Sequence, residues 1–165
     1  MKKVILSSLV MGLLVGGAFS SAQGQERRVT SSLNLGVQTN LFRDSSFDNA
    51  WFTLDARFGI PVGRSFEISP EIMVAVDDSL HFSAVWLYPG VMLNFKLGNI
   101  FVGAGAVLPV FFYEGESDSG NLAPKFNIGY SNGRLNVTAY ILTWNEEYLD
   151  FLEANFIGAT IGYRF

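Results

Sequence analysis

The fold is decided by residues 52–74, which read FTLDARFGIPVGRSFEISPEIMV. On both sides of a tight turn at Gly63, apolar residues alternate with polar or small ones. This period of two is typical of β-strands whose two faces meet different surroundings. The apolar face carries Phe52, Leu54, Ala56, Phe58, Ile60, Phe66, Ile68, Pro70, Ile72 and Val74. The opposite face carries Thr53, Asp55, Arg57, Gly59, Glu67, Ser69, Glu71 and Met73, so the stretch predicts a hairpin with one apolar and one ionic face.

Two further turns repeat this pattern along the chain. Gly98 and Gly133 follow Gly63 at intervals of 35 residues, each at a position of a short turn where positive φ is favoured. Each interval holds two strands, so the repeat predicts eight antiparallel strands with tight turns at one end and longer loops at the other. The predicted strands are 29–42, 50–60, 65–76, 81–95, 100–114, 121–131, 134–144 and 151–165.

The composition excludes several classes of function. The 165 residues include 15 acids against 11 lysines and arginines, and the net charge of −4 argues against a nucleic-acid partner, which needs a basic face. The chain has no cysteine, which excludes disulfides and thiolate chemistry. We also expect no cofactor. Charged residues make up 16% of the chain, whereas hydrophobic residues make up 49%. Soluble domains carry roughly 25% charge, so this composition does not suit an ordinary cytoplasmic domain.

The N-terminal segment has the three parts of an export signal. Lys2 and Lys3 precede an apolar run from Val4 to Phe19, and Ser20 and Ala22 are small residues placed for a cut after Ala22. The apolar run is short for a membrane-spanning helix. We therefore expect residues 1–22 to be a cleaved signal peptide and residues 23–165 to form a single barrel domain.

The alternation does not by itself say which face points inward. A soluble periplasmic lipocalin-like carrier would enclose the apolar face, and a membrane barrel would expose it to lipid. The strand glycines lie on the same face as the ionic side chains. If this face lines a narrow lumen, the glycines leave space for the large side chains next to them. The same face carries three acids and three bases that can pair inside a lumen: Asp55, Arg57, Glu67, Glu71, Lys125 and Arg164.

Outward aromatic residues at the tight-turn ends also favour the membrane barrel. Such residues form a girdle at a membrane interface. The predicted girdle consists of Phe58, Phe66, Phe95, Tyr130, Tyr163 and Phe165.

The last strand carries a family resemblance. Ile157, Ala159, Ile161, Tyr163 and Phe165 alternate outward, a pattern that resembles the C-terminal assembly signal of bacterial outer-membrane barrels. With the export signal and eight strands, the mature chain resembles small OmpX-like proteins. The resemblance implies an all-β, eight-stranded antiparallel up-and-down transmembrane β-barrel in the bacterial outer membrane. It also implies contact with outer-membrane lipids and recognition by the barrel assembly machinery through Tyr163 and Phe165.

The expected function is non-enzymatic, in envelope structure or in surface interaction with an unidentified partner. Side chains fill the interior of an eight-stranded barrel, and Trp51, Tyr140 and Phe156 are expected to contribute. A narrow channel past Arg57 and Glu71 is one alternative, and the lipocalin-like carrier is another.

A third alternative is a lipid hydrolase. A register that pairs Phe95 with Ile100 brings Ser83 and His81 close to Glu114, and a nucleophile, a base and an orienting acid are what a hydrolytic triad needs. The His-x-Ser sequence with a Glu on the next strand is similar to outer-membrane lipid A deacylases. That family has Asn after the Ser, where this chain has Ala84.

The loop end is acidic, and a rim of carboxylates can hold a divalent cation. The speculative cation ligands are Asp77, Asp78, Glu114, Glu116 and Asp118, although no calcium-loop spacing is present and solvated loop charge is the simpler interpretation.

Prolines within the predicted strands remove hydrogen-bond donors from a barrel that has no free edge. We expect bulges or early strand ends at Pro70, Pro89, Pro109 and Pro124.

Overall fold

The computed structural model describes residues 29–40, 50–77, 84–113, 116–143 and 155–165. The expected signal peptide, residues 1–22, lies outside these ranges. Within the described residues, no helix is both long enough and apolar enough to cross a membrane.

Ten strand segments form the described part of the wall, and they make up eight barrel strands. They are β1 (Thr30–Asn40), β2 (Trp51–Val62), β3 (Phe66–Asp77), β4 (Ala84–Leu97), β5 (Ile100–Val107), β6 (Val110–Tyr113), β7 (Glu116–Ser119), β8 (Ala123–Asn132), β9 (Leu135–Thr143) and β10 (Asn155–Arg164). β5 and β6 are parts of one barrel strand, and β7 and β8 are parts of the next. Neighbouring strands pair antiparallel around the whole wall, and β10 pairs with β1 to close it. The predicted closed eight-stranded antiparallel barrel is confirmed.

The three evenly spaced glycines occupy the tight turns. Gly63, Gly98 and Gly133 have φ of 75°, 64° and 57°, a left-handed conformation that other residues adopt only at a cost. Their turns connect β2 to β3, β4 to β5 and β8 to β9. All three turns therefore lie at one end of the barrel, which we call the turn side, and the opposite end is the loop side.

The two faces of the wall have the polarity that the alternation predicts for a membrane barrel. The outward side chains of Leu54, Ile68 and Ile128 are 42%, 39% and 56% exposed, whereas Arg57 is 5% exposed and lies inside. A soluble carrier would have these positions reversed, so the lipocalin-like alternative is wrong.

Inward glycines make room for large lumen side chains. A Cβ at Gly158 would overlap the ring of Tyr140 directly opposite on β9, and a Cβ at Gly129 would overlap the ring of Phe101. The wall therefore approaches these rings so closely that only glycine fits.

The prolines disturb the wall less than expected. Pro70 lies opposite Val91 in the ladder of β3 with β4, but the ladder of β2 with β3 is interrupted beside it, between the pairs Arg57–Glu71 and Ile60–Ile68. Pro124 lies opposite Ala106, one residue after the start of β8. Pro89 likewise stays within β4, and its carbonyl accepts a hydrogen bond of 2.8 Å from the Leu108 amide. Pro109 falls in the break between β5 and β6, where its carbonyl accepts from the Gly120 amide at 2.9 Å. The register is the same on both sides of Pro70 and Pro89, so the expected bulge is wrong for these two, because a proline within a ladder loses only its own donor. At Pro124 the expected strand end is found, since β8 begins at Ala123.

The predicted pairing of Phe95 with Ile100 is also wrong. Leu97 lies opposite Ile100 and Phe95 opposite Val102, so the register differs by two residues from the one used to assemble the triad. The turn consists only of Gly98 and Asn99, because pairing continues to Leu97. His81, Ser83 and Glu114 lie outside the described residues.

Candidate functional site: the lumen

Four ionised side chains meet at the centre of the lumen, and we call them the central quartet. Arg57 Nη2 lies 2.7 Å from Asp55 Oδ2, and Lys125 Nζ lies 2.5 Å from Glu71 Oε1. Arg57 Nε lies 3.2 Å from Glu71 Oε2 and links the two pairs. All four residues are buried, and the quartet is electrically neutral. Mutual pairing satisfies charges that would be very costly if buried alone.

Strand register brings the quartet together. Arg57 on β2 lies directly opposite Glu71 on β3, and Asp55 lies two residues before Arg57 on the same face. Lys125 reaches them from β8, which is four strands away from β2 in either direction around the wall. The quartet therefore connects opposite walls of the barrel.

Neutral polar groups surround the quartet. Asn34 Nδ2 donates to Asp55 Oδ2 at 3.3 Å, and Arg57 Nη1 donates to the Thr138 hydroxyl at 3.4 Å. Lys125 Nζ lies 4.6 Å from the centre of the Tyr140 ring, within cation–π range. The lumen thus provides hydrogen-bonding groups as well as opposite charges for its ions.

A second ionic cluster lies at the turn side, and we call it the rim cluster. Glu67 Oε2 pairs with Lys96 Nζ and, at 3.2 Å, with Arg164 Nη2. The Arg164 guanidinium also donates to the hydroxyls of Thr30 at 2.7 Å and Ser131 at 3.1 Å. This cluster is less buried than the quartet, since the Lys96 and Arg164 side chains are 28% and 22% exposed.

Lys96 was not among the residues predicted to line the lumen. Lys96 was assigned to a turn because the predicted strand ended at Phe95. Its even-numbered neighbours Met92 and Asn94 are buried inside, and β4 continues through Leu97. Extending the alternation by one step beyond Asn94 would have identified it.

The loop side of the lumen is apolar, and we call this region the loop-side plug. It consists of Met73, Ala75, Tyr88, Val107, Ala123, Tyr140 and Leu142. Trp51, Trp86 and Phe156 pack against it. Tyr140 donates to Gln38 Oε1 at 3.0 Å, and Gln38 Nε2 donates to the Tyr88 hydroxyl at 3.3 Å, so the two buried hydroxyls are bonded through one amide.

Of the residues proposed for the aromatic girdle, five border the tight turns on the outer surface. Phe66 and Phe95 are neighbours across β3 and β4, with ring centres 5.1 Å apart. Tyr163 and Phe165 lie edge to face with centres 5.0 Å apart. Tyr130 and Phe165 are 40% and 72% exposed, and Phe58 lies further along β2 on the same outer face.

The speculative cation ligands are only partly described. Glu116 and Asp118 are exposed on β7, and Asp77 ends β3, whereas Asp78 and Glu114 lie outside the described residues. In the part of the chain that the structure describes, no three His, Asp or Glu side chains come together as a metal site would require.

Several solved structures are similar to this barrel, although no family model and no curated protein matches the sequence. The N-terminal β-barrel domain of Pseudomonas aeruginosa OprF is 8% identical, with 85% of this chain and 100% of that chain covered and a TM-score of 0.51. Neisserial surface protein A is 9% identical, with 82% and 94% covered and a TM-score of 0.49. Yersinia pestis Ail, in complex with the heparin analogue sucrose octasulfate, is 16% identical, with 84% and 99% covered and a TM-score of 0.46. At these identities, the OprF likeness establishes a shared barrel fold.

Proposed function

We propose that this chain is an integral outer-membrane β-barrel with a side-chain-filled lumen and a non-enzymatic role in envelope structure or surface interaction. The observation that carries the proposal is the inverted polarity of the wall. Large apolar side chains form a continuous outer belt, whereas the buried set includes Asp55, Arg57, Glu71 and Lys125. A monomer in water rarely exposes so extensive an apolar surface, whereas a lipid bilayer requires one.

The lumen supports a structural role rather than a wide pore. Tyr88, Met92, Lys125 and Leu142 are fully buried within it. Their side chains occupy the cross-section that a channel would need, as expected for an eight-stranded barrel. Single-channel recording in planar bilayers is expected to show no resolvable conductance steps.

The loop side offers the surface for contact with partners. β6 and β7 form a short hairpin at this end, and Phe112, Tyr113, Glu116 and Asp118 are exposed on it. A hairpin of this kind can contribute aromatic and acidic contacts as well as strand pairing to a partner.

The outward aromatics of β10 support recognition by the barrel assembly machinery. Tyr163 and Phe165 lie on the outer surface of the strand that closes the barrel against β1. We expect Phe165→Ala to reduce the amount of folded protein in the outer membrane while leaving the refolded barrel intact in detergent. Heat-modifiable gel mobility separates these two outcomes.

The membrane assignment is tested by placing one charge at two depths of the wall. Leu35, near the middle of β1, is 64% exposed, whereas Leu135 is 45% exposed at the first position of β9. Leu35→Arg is expected to lower the free energy of unfolding in lipid vesicles by about 2–4 kcal/mol, and Leu135→Arg by about 0–1 kcal/mol. Equal effects at both depths would contradict a lipid-facing belt.

A further inference from the structure

A small recess opens at the turn side of the lumen. Its enclosed part has a volume of ≈ 20 Å³, room for about one water molecule, and it opens to solvent among strand ends next to the tight turns. Its cationic and acidic lining consists of Arg57, Glu67, Lys96 and Arg164. Hydroxyl and amide groups of Thr30, Ser32, Ser131, Asn94 and Asn136 complete the polar lining.

Cations outnumber acids in this recess. Arg57 is neutralised by Asp55 and Glu71, which lie deeper in the lumen. Glu67 is the one acid of the lining, and it is shared by Lys96 and Arg164. One positive charge is therefore left without a matching acid in the lining. The exposed Arg64 and Arg134 on neighbouring turns make the potential at this end still more positive.

The cations of the recess are held in position before any ligand arrives. The Thr30 and Ser131 hydroxyls accept hydrogen bonds from the two terminal nitrogens of Arg164, which fixes the plane of the guanidinium. Lys96 is held beside it by their common partner Glu67. A planar guanidinium next to an ammonium group suits an oxyanion, because the two can donate several charge-assisted hydrogen bonds to it.

We propose that the open mouth of the turn-side recess is a binding site for a phosphate group, which contacts the exposed sides of Lys96 and Arg164 that Glu67 does not occupy. The phosphate can come from a soluble phosphate or from the headgroup of a phospholipid in the adjacent leaflet. The site is separate from the roles proposed above, since it requires only the folded barrel.

The test is calorimetric titration of inorganic phosphate into the refolded barrel in maltoside micelles, which contain no phosphate, with chloride as the background anion. Saturable binding is expected. Lys96→Met is expected to weaken it at least tenfold, and Arg164→Lys several-fold, because lysine keeps the charge but loses the planar fork. Arg134→Ala removes an exposed cation at the same end but outside the recess, and it is expected to change the affinity less than twofold.

Heat-modifiable mobility verifies that each variant is folded before titration. Absence of saturable binding to the wild-type barrel would overturn the proposal, as would unchanged affinity in folded Lys96→Met. Repeating a positive titration in phosphatidylglycerol nanodiscs identifies the source. Binding that persists there indicates soluble phosphate, and binding that disappears indicates that a lipid headgroup occupies the recess.

Discussion

The two ends of the lumen are closed by different chemistry. Towards the turn side, the central quartet and the rim cluster join the walls through ion pairs, whereas the loop-side plug joins them through apolar and aromatic packing. Lys125 lies at the boundary, because it pairs with Glu71 and also contacts the Tyr140 ring of the plug. The difference shows that one narrow lumen can be filled in two ways, and the two should respond differently to mutation.

The largest effect is expected from removing one member of the central quartet. Lys125→Met leaves Glu71 buried with one fewer cation and is expected to lower the free energy of unfolding by about 3–5 kcal/mol, as for broken buried pairs. Urea unfolding in lipid vesicles, followed by tryptophan fluorescence, measures the change.

The matched control removes the acid as well. Lys125→Met combined with Glu71→Gln leaves the neutral pair of Asp55 and Arg57, and it is expected to recover a large part of the lost stability. A double variant that is as unstable as the sum of the two single variants would contradict the ionic account of this region.

A smaller effect is expected from overpacking the plug. Gly158→Ala places a methyl group against the Tyr140 ring, and the resulting strain is expected to cost about 1–3 kcal/mol in the same unfolding assay. Ala159→Leu adds more volume at the next position, which faces lipid, and is expected to change stability by less than about 0.5 kcal/mol. If Gly158→Ala were as mild as Ala159→Leu, the plug would not be tightly packed.

The smallest effect is expected at the rim cluster. Lys96→Met removes a cation, as Lys125→Met does, but Lys96 is partly exposed and Glu67 keeps Arg164 as a partner. Solvent screens this pair, so a loss of at most about 1 kcal/mol is expected. The ratio of the losses in free energy of unfolding caused by Lys125→Met and Lys96→Met therefore measures how much more the buried central quartet depends on its ion pairs than the partly exposed rim cluster does. Equal losses would show that the quartet is as hydrated as the rim.

The sequence was sufficient to predict the wall. Period-two alternation gave the facing of each hairpin residue, and the spacing of Gly63, Gly98 and Gly133 gave the number of strands, because both are local consequences of backbone geometry. The pairing of Arg57 with Glu71 could also be predicted from the tight turn at Gly63, since the register across a short hairpin is nearly fixed.

Contacts across the lumen were less predictable. No local pattern pairs Lys125 with Glu71, because the two residues lie on different walls and meet only when the barrel closes. The register between β4 and β5 was missed because a two-residue turn and a longer one fit the same sequence. The effect of Pro70 was overestimated because the ladder of β2 with β3 resumes in the same register beyond it and the ladder with β4 holds the strand in place.

Whether the apolar side chains of the wall face hydrocarbon can be measured directly. The chain has no cysteine, so single cysteines at Leu54, Ile68 and Ile128 can each be spin-labelled without interference. In lipid vesicles, we expect all three labels to collide readily with dissolved oxygen and hardly at all with a water-soluble nickel complex, whereas a label at the exposed turn residue Arg134 shows the opposite. Labels at the three wall positions that collide freely with nickel, or that are shielded from both reagents, would contradict a lipid-facing wall.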